Sequence, residues 1–187
     1  MHTSTQRLTI DALRAEDAAA LFEYRADPRV SRYQGWQPHS INDALGFIET
    51  STVVVPDKPG SWYQRAIRLR DSAMLVGDLG LHFVADPERT VEIGITIAPA
   101  HQGQGLASEA LREALGYVFD DLQQHRVFAS IDPRNHACMQ LLERVGMRKE
   151  AHFRESLWLG GQWVDDVVFA MLAREWPAHR APPIHHG

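Results

Sequence analysis

The sequence contains a single cysteine, Cys138, among its 187 residues, so no disulfide can form within the chain. Long apolar runs are also missing, because stretches such as residues 53–55 and 167–172 are much too short to span a bilayer. The first eleven residues contain no apolar segment typical of a signal peptide. A lone thiol fits a reducing compartment. We therefore expect a soluble, cytoplasmic protein without a membrane partner.

A surplus of basic charge is missing as well, since the formal net charge is -5. Proteins that hold a nucleic-acid backbone need such a surplus, so no nucleic-acid partner is expected. Apolar residues make up 44% of the chain and charged residues 23%, an ordinary globular composition. The length suits one well-filled core. We expect one domain over residues 1–176 and a disordered tail over residues 177–187.

The clearest secondary-structure signals lie in the middle of the chain. Apolar side chains alternate with a period of two over residues 91–97, which predicts a strand, and recur at helical spacing over residues 107–120. Weaker patterns predict strands at residues 8–13, 64–69, 75–83, 126–131, 147–157 and 164–172. Helices are predicted at residues 15–26, after the cap at Ser40, and between Asn135 and Gly146.

The loop between this strand and this helix carries the most specific local motif, Gln102-x-x-Gly105-x-Ala107. Unpaired N–H groups at a helix start, together with the helix dipole, favour a bound pyrophosphate. The motif is not a Walker loop, because it lacks the lysine, and its glycine spacing differs from the dinucleotide fingerprint. Such a glycine turn is also a common structural linker. The local pattern alone leaves both interpretations open.

Residues 91–119 resemble the central motif of the GNAT superfamily of acetyl-CoA-dependent N-acetyltransferases, a strand, a Gln/Arg-x-x-Gly-x-Gly/Ala loop and a helix. The likeness continues through the Asn135-led helix that ends at Gly146-Met147. The closing hairpin around residues 154–165 is similar to the branch with the bacterial ribosomal-protein serine and alanine N-acetyltransferases. The resemblance implies a single-domain α+β fold. Its mixed, twisted sheet of about seven strands would be flanked by about four helices, with two central strands splayed.

The same resemblance implies that acetyl-CoA is the cosubstrate and that no metal takes part. The ten histidines indeed show no spacing typical of metal ligands. Strand, loop and helix residues would all contribute to binding acetyl-CoA. These residues are Ile95, Thr96, Ile97, Gln102, Gly103, Gln104, Gly105, Leu106, Ala107, Asn135 and Cys138.

Direct acetyl transfer needs a route for the amine proton and an acid for the departing thiolate. Glu92 lies on the strand face where the superfamily often carries a carboxylate base, although an ordinary salt bridge is the alternative. Glu155 is a second, weaker candidate, because the branch places a functional Glu on this hairpin, but that Glu aligns with Leu157. A solvated surface carboxylate is the favoured interpretation of Glu155. Cys138 stands where the branch uses Ser, and packing beside CoA is favoured over proton donation. Many family members have a Tyr that protonates the CoA thiolate, and Leu142 stands at that position here.

The acceptor groove of the family is built from the early helix loop and the last hairpin, which here supply Tyr33, Trp36 and Trp158. The branch resemblance points to the N-terminal amine of a peptide or protein as acceptor. A small amine, such as an aminoglycoside, a polyamine or an amino-acid derivative, is the alternative, and an acidic groove would favour a polycation. A non-catalytic CoA-binding module is the third hypothesis, and a homodimer is left open.

Overall fold

The computed structural model describes residues 1–179, which form an open sheet of eight strands in the order β1-β2-β3-β4-β5-β6-β8-β7. Only β5 and β6 are parallel neighbours. The strands are β1 (Thr3–Ser4), β2 (Leu8–Asp11), β3 (Ser61–Leu69), β4 (Leu75–Phe83), β5 (Thr90–Ile97), β6 (Arg126–Ile131), β7 (Arg148–Leu159) and β8 (Gln162–Leu172).

Five α-helices lie within the described part of the chain, and a π-helical turn at Tyr117–Asp121 extends the fourth. They are α1 (Ala18–Ala26), α2 (Pro28–Ser31), α3 (Ile41–Thr52), α4 (Leu106–Gly116) and α5 (His136–Arg144). Short 3-10 turns occur at Ala15–Asp17, Pro99–His101 and Ala173–Ala178. None of the described helices is long and apolar enough to cross a bilayer.

The predicted α+β fold with a mixed central sheet is confirmed, with two differences in the number of elements. The eighth strand is β1, whose two residues are too few to show a period in sequence. The additional helix is α2, which begins at Pro28 because proline fits the first helical position and the Asp27 side chain caps Arg29 N–H. The tail predicted at residues 177–187 overlaps the last 3-10 turn by two residues, and residues 180–187 lie outside the described part.

The predicted helix ends have the expected chemistry. Ser40 Oγ accepts a hydrogen bond from Asp43 N–H (3.1 Å) at the start of α3. Asn135 Oδ1 accepts one from Cys138 N–H (3.2 Å) at the start of α5. Gly146 closes α5 with φ of 96°, a left-handed conformation that glycine adopts without strain. Local capping therefore fixes where α5 begins and ends, and with it the position of the first turn of α5.

The central feature of the sheet is the divergence of β5 and β6. Their parallel pairing covers only Thr90 to Glu92, opposite Arg126 to Phe128. Beyond that point β5 remains paired with β4 as far as Ile97, whereas β6 remains paired with β8 as far as Ile131. The two halves of the sheet therefore separate and leave a gap between the ends of β5 and β6.

A buried ion network ties the first strands together. The Arg68 side chain is only 4% exposed, and its Nε lies 2.8 Å from Asp11 Oδ1. Its Nη2 lies 2.6 Å from Asp17 Oδ2, just before α1. Removing one partner of such a network leaves the others charged and buried, which costs more than the network itself contributes.

We expect Arg68→Met to lower the free energy of unfolding by about 3 kcal/mol or more, because Asp11 and Asp17 would lose their shared cation inside the protein. Urea denaturation followed by circular dichroism measures this. Arg29→Met is the control, since the Arg29 pair with Asp27 is solvent-exposed and should leave the urea midpoint unchanged. Equal midpoints for both variants would contradict the assignment.

Candidate active site

Backbone groups of β5 point into the gap. Ala98 N–H donates to Val76 O, and Val84 N–H donates to Thr90 O. In an antiparallel pair such bonded residues alternate, so the backbone N–H and C=O groups of the even-numbered residues of β5 point toward β4. The polar backbone of Ile95 and Ile97 therefore faces β6, beyond the point where the β5–β6 pairing ends. One of these groups, Ile97 O, accepts a hydrogen bond from Gln102 Nε2 (2.8 Å). The remaining groups are available to a ligand in the gap.

The loop after β5 leads into α4 with its N–H groups uncapped. Gly105 is the N-cap residue of α4 with φ of 78°, and no side chain caps this end. The first four N–H groups, from Gly105 to Ser108, lack acceptors within the helix. Arg7 supports the loop from behind, because its Nη1 donates to Gln104 O (2.8 Å) and its Nε pairs with Glu109 (2.7 Å). This helix start is suited to an anion.

A cavity of about 580 Å³, called here the loop cavity, lies between this loop, the end of β5 and the first turn of α5. In the described part of the chain no Asp or Glu is among its lining residues, and six basic side chains line it. They are Arg29, Arg32, Arg134, Arg144, His101 and His136. Arg29 and Arg134 pair with Asp27 and Asp132, so Arg32 and Arg144 are the lining arginines without an ion-pair partner among residues 1–179. The lining therefore favours an anionic ligand. The four arginines were missed in the sequence analysis because they come from separate segments of an acidic chain.

Ten of the eleven residues proposed from the sequence to bind acetyl-CoA line the loop cavity. The exception is Gln104, whose side chain donates to Ala100 O (3.2 Å) and whose carbonyl accepts from Arg7. The ten are Ile95, Thr96, Ile97, Gln102, Gly103, Gly105, Leu106, Ala107, Asn135 and Cys138.

A second cavity of about 850 Å³, called here the aromatic cavity, meets the loop cavity at the gap. The residues shared by both linings are Tyr33, Gln34, Ile95, Thr96, Asn135 and Cys138. Tyr33, Trp36 and Trp158, proposed from the sequence for the acceptor groove, all line it. Phe47 and Trp62 also line it, and sequence reasoning did not select them. Groups held in the two cavities can therefore meet at the shared residues.

Glu92 lies in the aromatic cavity, on the strand face that also carries Gly94 and Thr96. Burial raises the pKa of its carboxyl, an effect opposed by His82. His82 Nδ1 lies 3.4 Å from Glu92 Oε2, and the His82 ring stacks on Trp62 with centroids 4.9 Å apart. A carboxylate with a raised pKa is a better proton acceptor near neutral pH. His82 was not selected from the sequence. It lies on β4 directly opposite Glu92, so a correct β4–β5 register would have identified it.

The other two residues considered for catalysis have different surroundings. Cys138 lines both cavities, and burial raises the pKa of its thiol to about 11. The thiol is therefore protonated at neutral pH and a poor nucleophile. Glu155 is exposed, adopts φ of 45° at an irregularity of the β7–β8 pairing, and lines neither cavity. Among residues 1–179, no three His, Cys, Asp or Glu side chains are grouped to hold a metal ion.

The family profile described as Acetyltransferase (GNAT) domain matches residues 7–148. The uncharacterized N-acetyltransferase YnaD of Bacillus subtilis is 31% identical over 94% of this chain and 99% of its own. The [ribosomal protein uS5]-alanine N-acetyltransferase of Escherichia coli is 28% identical over 95% of this chain and 93% of its own.

Solved structures agree with these relatives. A GNAT-family acetyltransferase from Bacillus anthracis superposes with a TM-score of 0.85 at 28% identity, covering 94% of this chain and all of that one (100%). Spermidine N-acetyltransferase from Vibrio cholerae, solved with CoA and spermine, has a TM-score of 0.78 at 22% identity. It covers 92% of this chain and 99% of its own, and at this identity it supports the fold alone.

We expect the Cys138 thiol to react slowly with iodoacetamide, because the raised pKa keeps it protonated below pH 11. At pH 8 its alkylation should be at least tenfold slower than in the urea-unfolded chain, where an ordinary thiol pKa of about 8.5 applies. The rate should continue to rise with pH up to about 11. Intact-protein mass spectrometry measures both rates. Similar rates in the folded and unfolded chain would show that burial does not raise the pKa of this thiol.

Proposed function

The chain belongs to the GNAT family of acetyltransferases, and from this premise we propose that it moves acetyl from acetyl-CoA directly to a primary amine within a ternary complex. The observation that carries the proposal is the meeting of the two cavities at the gap between β5 and β6. One cavity is basic and begins at an uncapped helix start, as a pyrophosphate requires. The other contains a half-buried carboxylate, as proton removal from an amine requires.

In this mechanism the amine nitrogen attacks the thioester carbonyl carbon, and a carbon–nitrogen bond forms. The developing oxyanion needs a preorganised donor, for which the Ile95 N–H in the gap is suited. The proton of the amine passes through water to Glu92. Collapse of the tetrahedral intermediate breaks the carbon–sulfur bond, and the CoA thiolate leaves.

Cys138 is assigned a packing role in this scheme. A thiol with a pKa of about 11 is a weaker acid than an ordinary thiol, so protonating the CoA thiolate from Cys138 would run uphill. A covalent acetyl-cysteine would need the Cys138 thiolate, which burial disfavours. Water is the remaining proton source, and a thiolate is a good leaving group near neutral pH.

The acceptor we propose is an N-terminal amine of a peptide or protein, supported by the relative that acetylates a ribosomal-protein alanine. The second candidate is a small-molecule amine. The depth and aromatic lining of the second cavity favour it, because such a space can enclose a whole small acceptor.

Gly105→Asp should weaken acetyl-CoA binding at least a hundredfold, because it adds a negative charge at the N-cap of α4, where the helix start would bind the pyrophosphate, and changes the loop that Arg7 supports. Asp tolerates the left-handed conformation better than most residues, so the variant should still fold. Isothermal titration calorimetry measures the affinity. Gly60→Asp is the matched control, since Gly60 has φ of 73° in a turn outside both cavities. Unchanged affinity in folded Gly105→Asp would refute the pyrophosphate site.

Glu92→Gln should slow acetyl transfer about a hundredfold at pH 7 but only a few fold at pH 10. At high pH the solvent already deprotonates the amine, so the loss of the base matters less. Glu155→Gln is the comparison variant and should change the rate less than twofold, because Glu155 lines neither cavity. The assay is thiol release, measured as kcat/KM against pH. A pH-independent loss in Glu92→Gln, or a larger loss in Glu155→Gln, would remove Glu92 as the base.

A further inference from the structure

We propose that the preferred acceptor is a primary amine with a single positive charge and a flat aromatic group, which packs in the aromatic cavity over the bare backbone at Gly94. This inference rests on the function proposed above and names the chemical class of its acceptor. It follows from three features of the aromatic cavity: a floor without a side chain, aromatic walls, and three carboxylates of which only Glu92 has neither an arginine nor a backbone N–H as a partner among residues 1–179.

The floor is formed where Gly80 of β4 pairs with Gly94 of β5. The Trp62 ring lies over Gly80, because a Cβ there would be 3.0 Å from Trp62 Cε3 and Cζ3. At Gly94 a Cβ would meet nothing within 4 Å. The Trp62 ring thus covers Gly80, and Gly94 beside it is left open to the cavity. The open space beside the Trp62 ring suits a second flat group.

The walls are aromatic on more than one side. Trp36 stacks on Phe47 with centroids 4.4 Å apart and an angle of 18° between the rings. Trp62 stacks on His82 at 14°. Trp158 of the β7–β8 hairpin also lines the cavity. Because aromatic rings gain stabilisation from other rings beyond their buried area, these walls favour an aromatic acceptor over an aliphatic one.

The charges in the cavity fit one cation and not several. Three carboxylates line it, from Glu92, Asp132 and Asp165. Asp132 is paired with Arg134, and the Asp165 carboxylate accepts hydrogen bonds from His152 and from Glu155 N–H. Glu92 has only His82 as its ion-pair neighbour within residues 1–179. A polyamine would therefore bring several charges into an aromatic space with one available carboxylate, and burying an unpaired charge is costly.

The experiment compares kcat/KM for four amines by thiol release from acetyl-CoA. 2-Phenylethylamine and phenylalanine amide carry one charge and one ring, as a free amine and as a mimic of a peptide N-terminus. Spermidine is the polycation, and n-propylamine is the small aliphatic amine. Both aromatic amines should exceed spermidine and n-propylamine at least tenfold. A higher kcat/KM for phenylalanine amide than for 2-phenylethylamine would assign the aromatic acceptor to peptides, and the reverse order to free amines.

Gly94→Val tests the floor, because it places a branched side chain in the open space without a predicted clash. It should lower kcat/KM for 2-phenylethylamine at least tenfold, change that for n-propylamine less than threefold, and leave the affinity for acetyl-CoA unchanged. Gly46→Val is the matched control, since Gly46 also has nothing within 4 Å of a Cβ and does not line the cavity. It should behave like the wild type with every amine.

Two results would overturn the inference while leaving the proposed function intact. One is spermidine or n-propylamine matching the aromatic amines. The other is an equal loss for 2-phenylethylamine and n-propylamine in Gly94→Val. Absence of thiol release with all four amines and also with a set of N-terminal peptides, despite measured binding of acetyl-CoA, would overturn both the inference and the proposed function.

Discussion

The site depends on one constraint, the loss of pairing between β5 and β6 after three residue pairs. Backbone N–H and C=O groups inside a protein need partners, so two central strands cannot separate without something to satisfy them. The protein supplies one partner itself, through the Gln102 side chain on Ile97 O. The other exposed groups are left for what enters the gap. The same separation lets the two cavities meet, so the proposed cosubstrate and acceptor sites have a common structural origin.

Charge is distributed unevenly around this gap. The chain is acidic overall, yet the described lining of the loop cavity holds four arginines and no carboxylate. Arg134 is the closest link between the two sides, because it pairs with Asp132, which lines the aromatic cavity. A polyanion is therefore drawn to one side and an amine to the other. The net charge of the chain made a nucleic-acid partner unexpected. The same single number does not reveal that basic and acidic side chains are separated around the gap.

Sequence predicted the features that are local in the chain. The alternation in β5, the glycine turn before α4 and the Asn135 cap each involve a few consecutive residues, and all three are present. Features assembled from distant segments were missed, such as the arginines of the loop cavity and the Trp62–His82 stack. Glu155 is exposed, in line with the favoured interpretation as a surface carboxylate, but its backbone conformation could not be predicted. Its direction depends on an irregularity in β7, which shifts the register without a clear sign in the amino-acid pattern.

The loop with Gln34 and Trp36, which lines the aromatic cavity, is held by a buried ion pair between Asp78 and Arg25. Asp78 of β4 is fully buried and accepts hydrogen bonds from Tyr24, Arg25 and Gln64. Arg25 extends from this pair to the loop above, where Nη1 donates to Gln34 Oε1 (2.8 Å) and the guanidinium lies 5.9 Å from the centre of the Trp36 ring. Breaking such a pair would leave an uncompensated buried charge, so the Arg25 side chain is held in this position. Because Gln34 lines both cavities, the position of this loop shapes both linings.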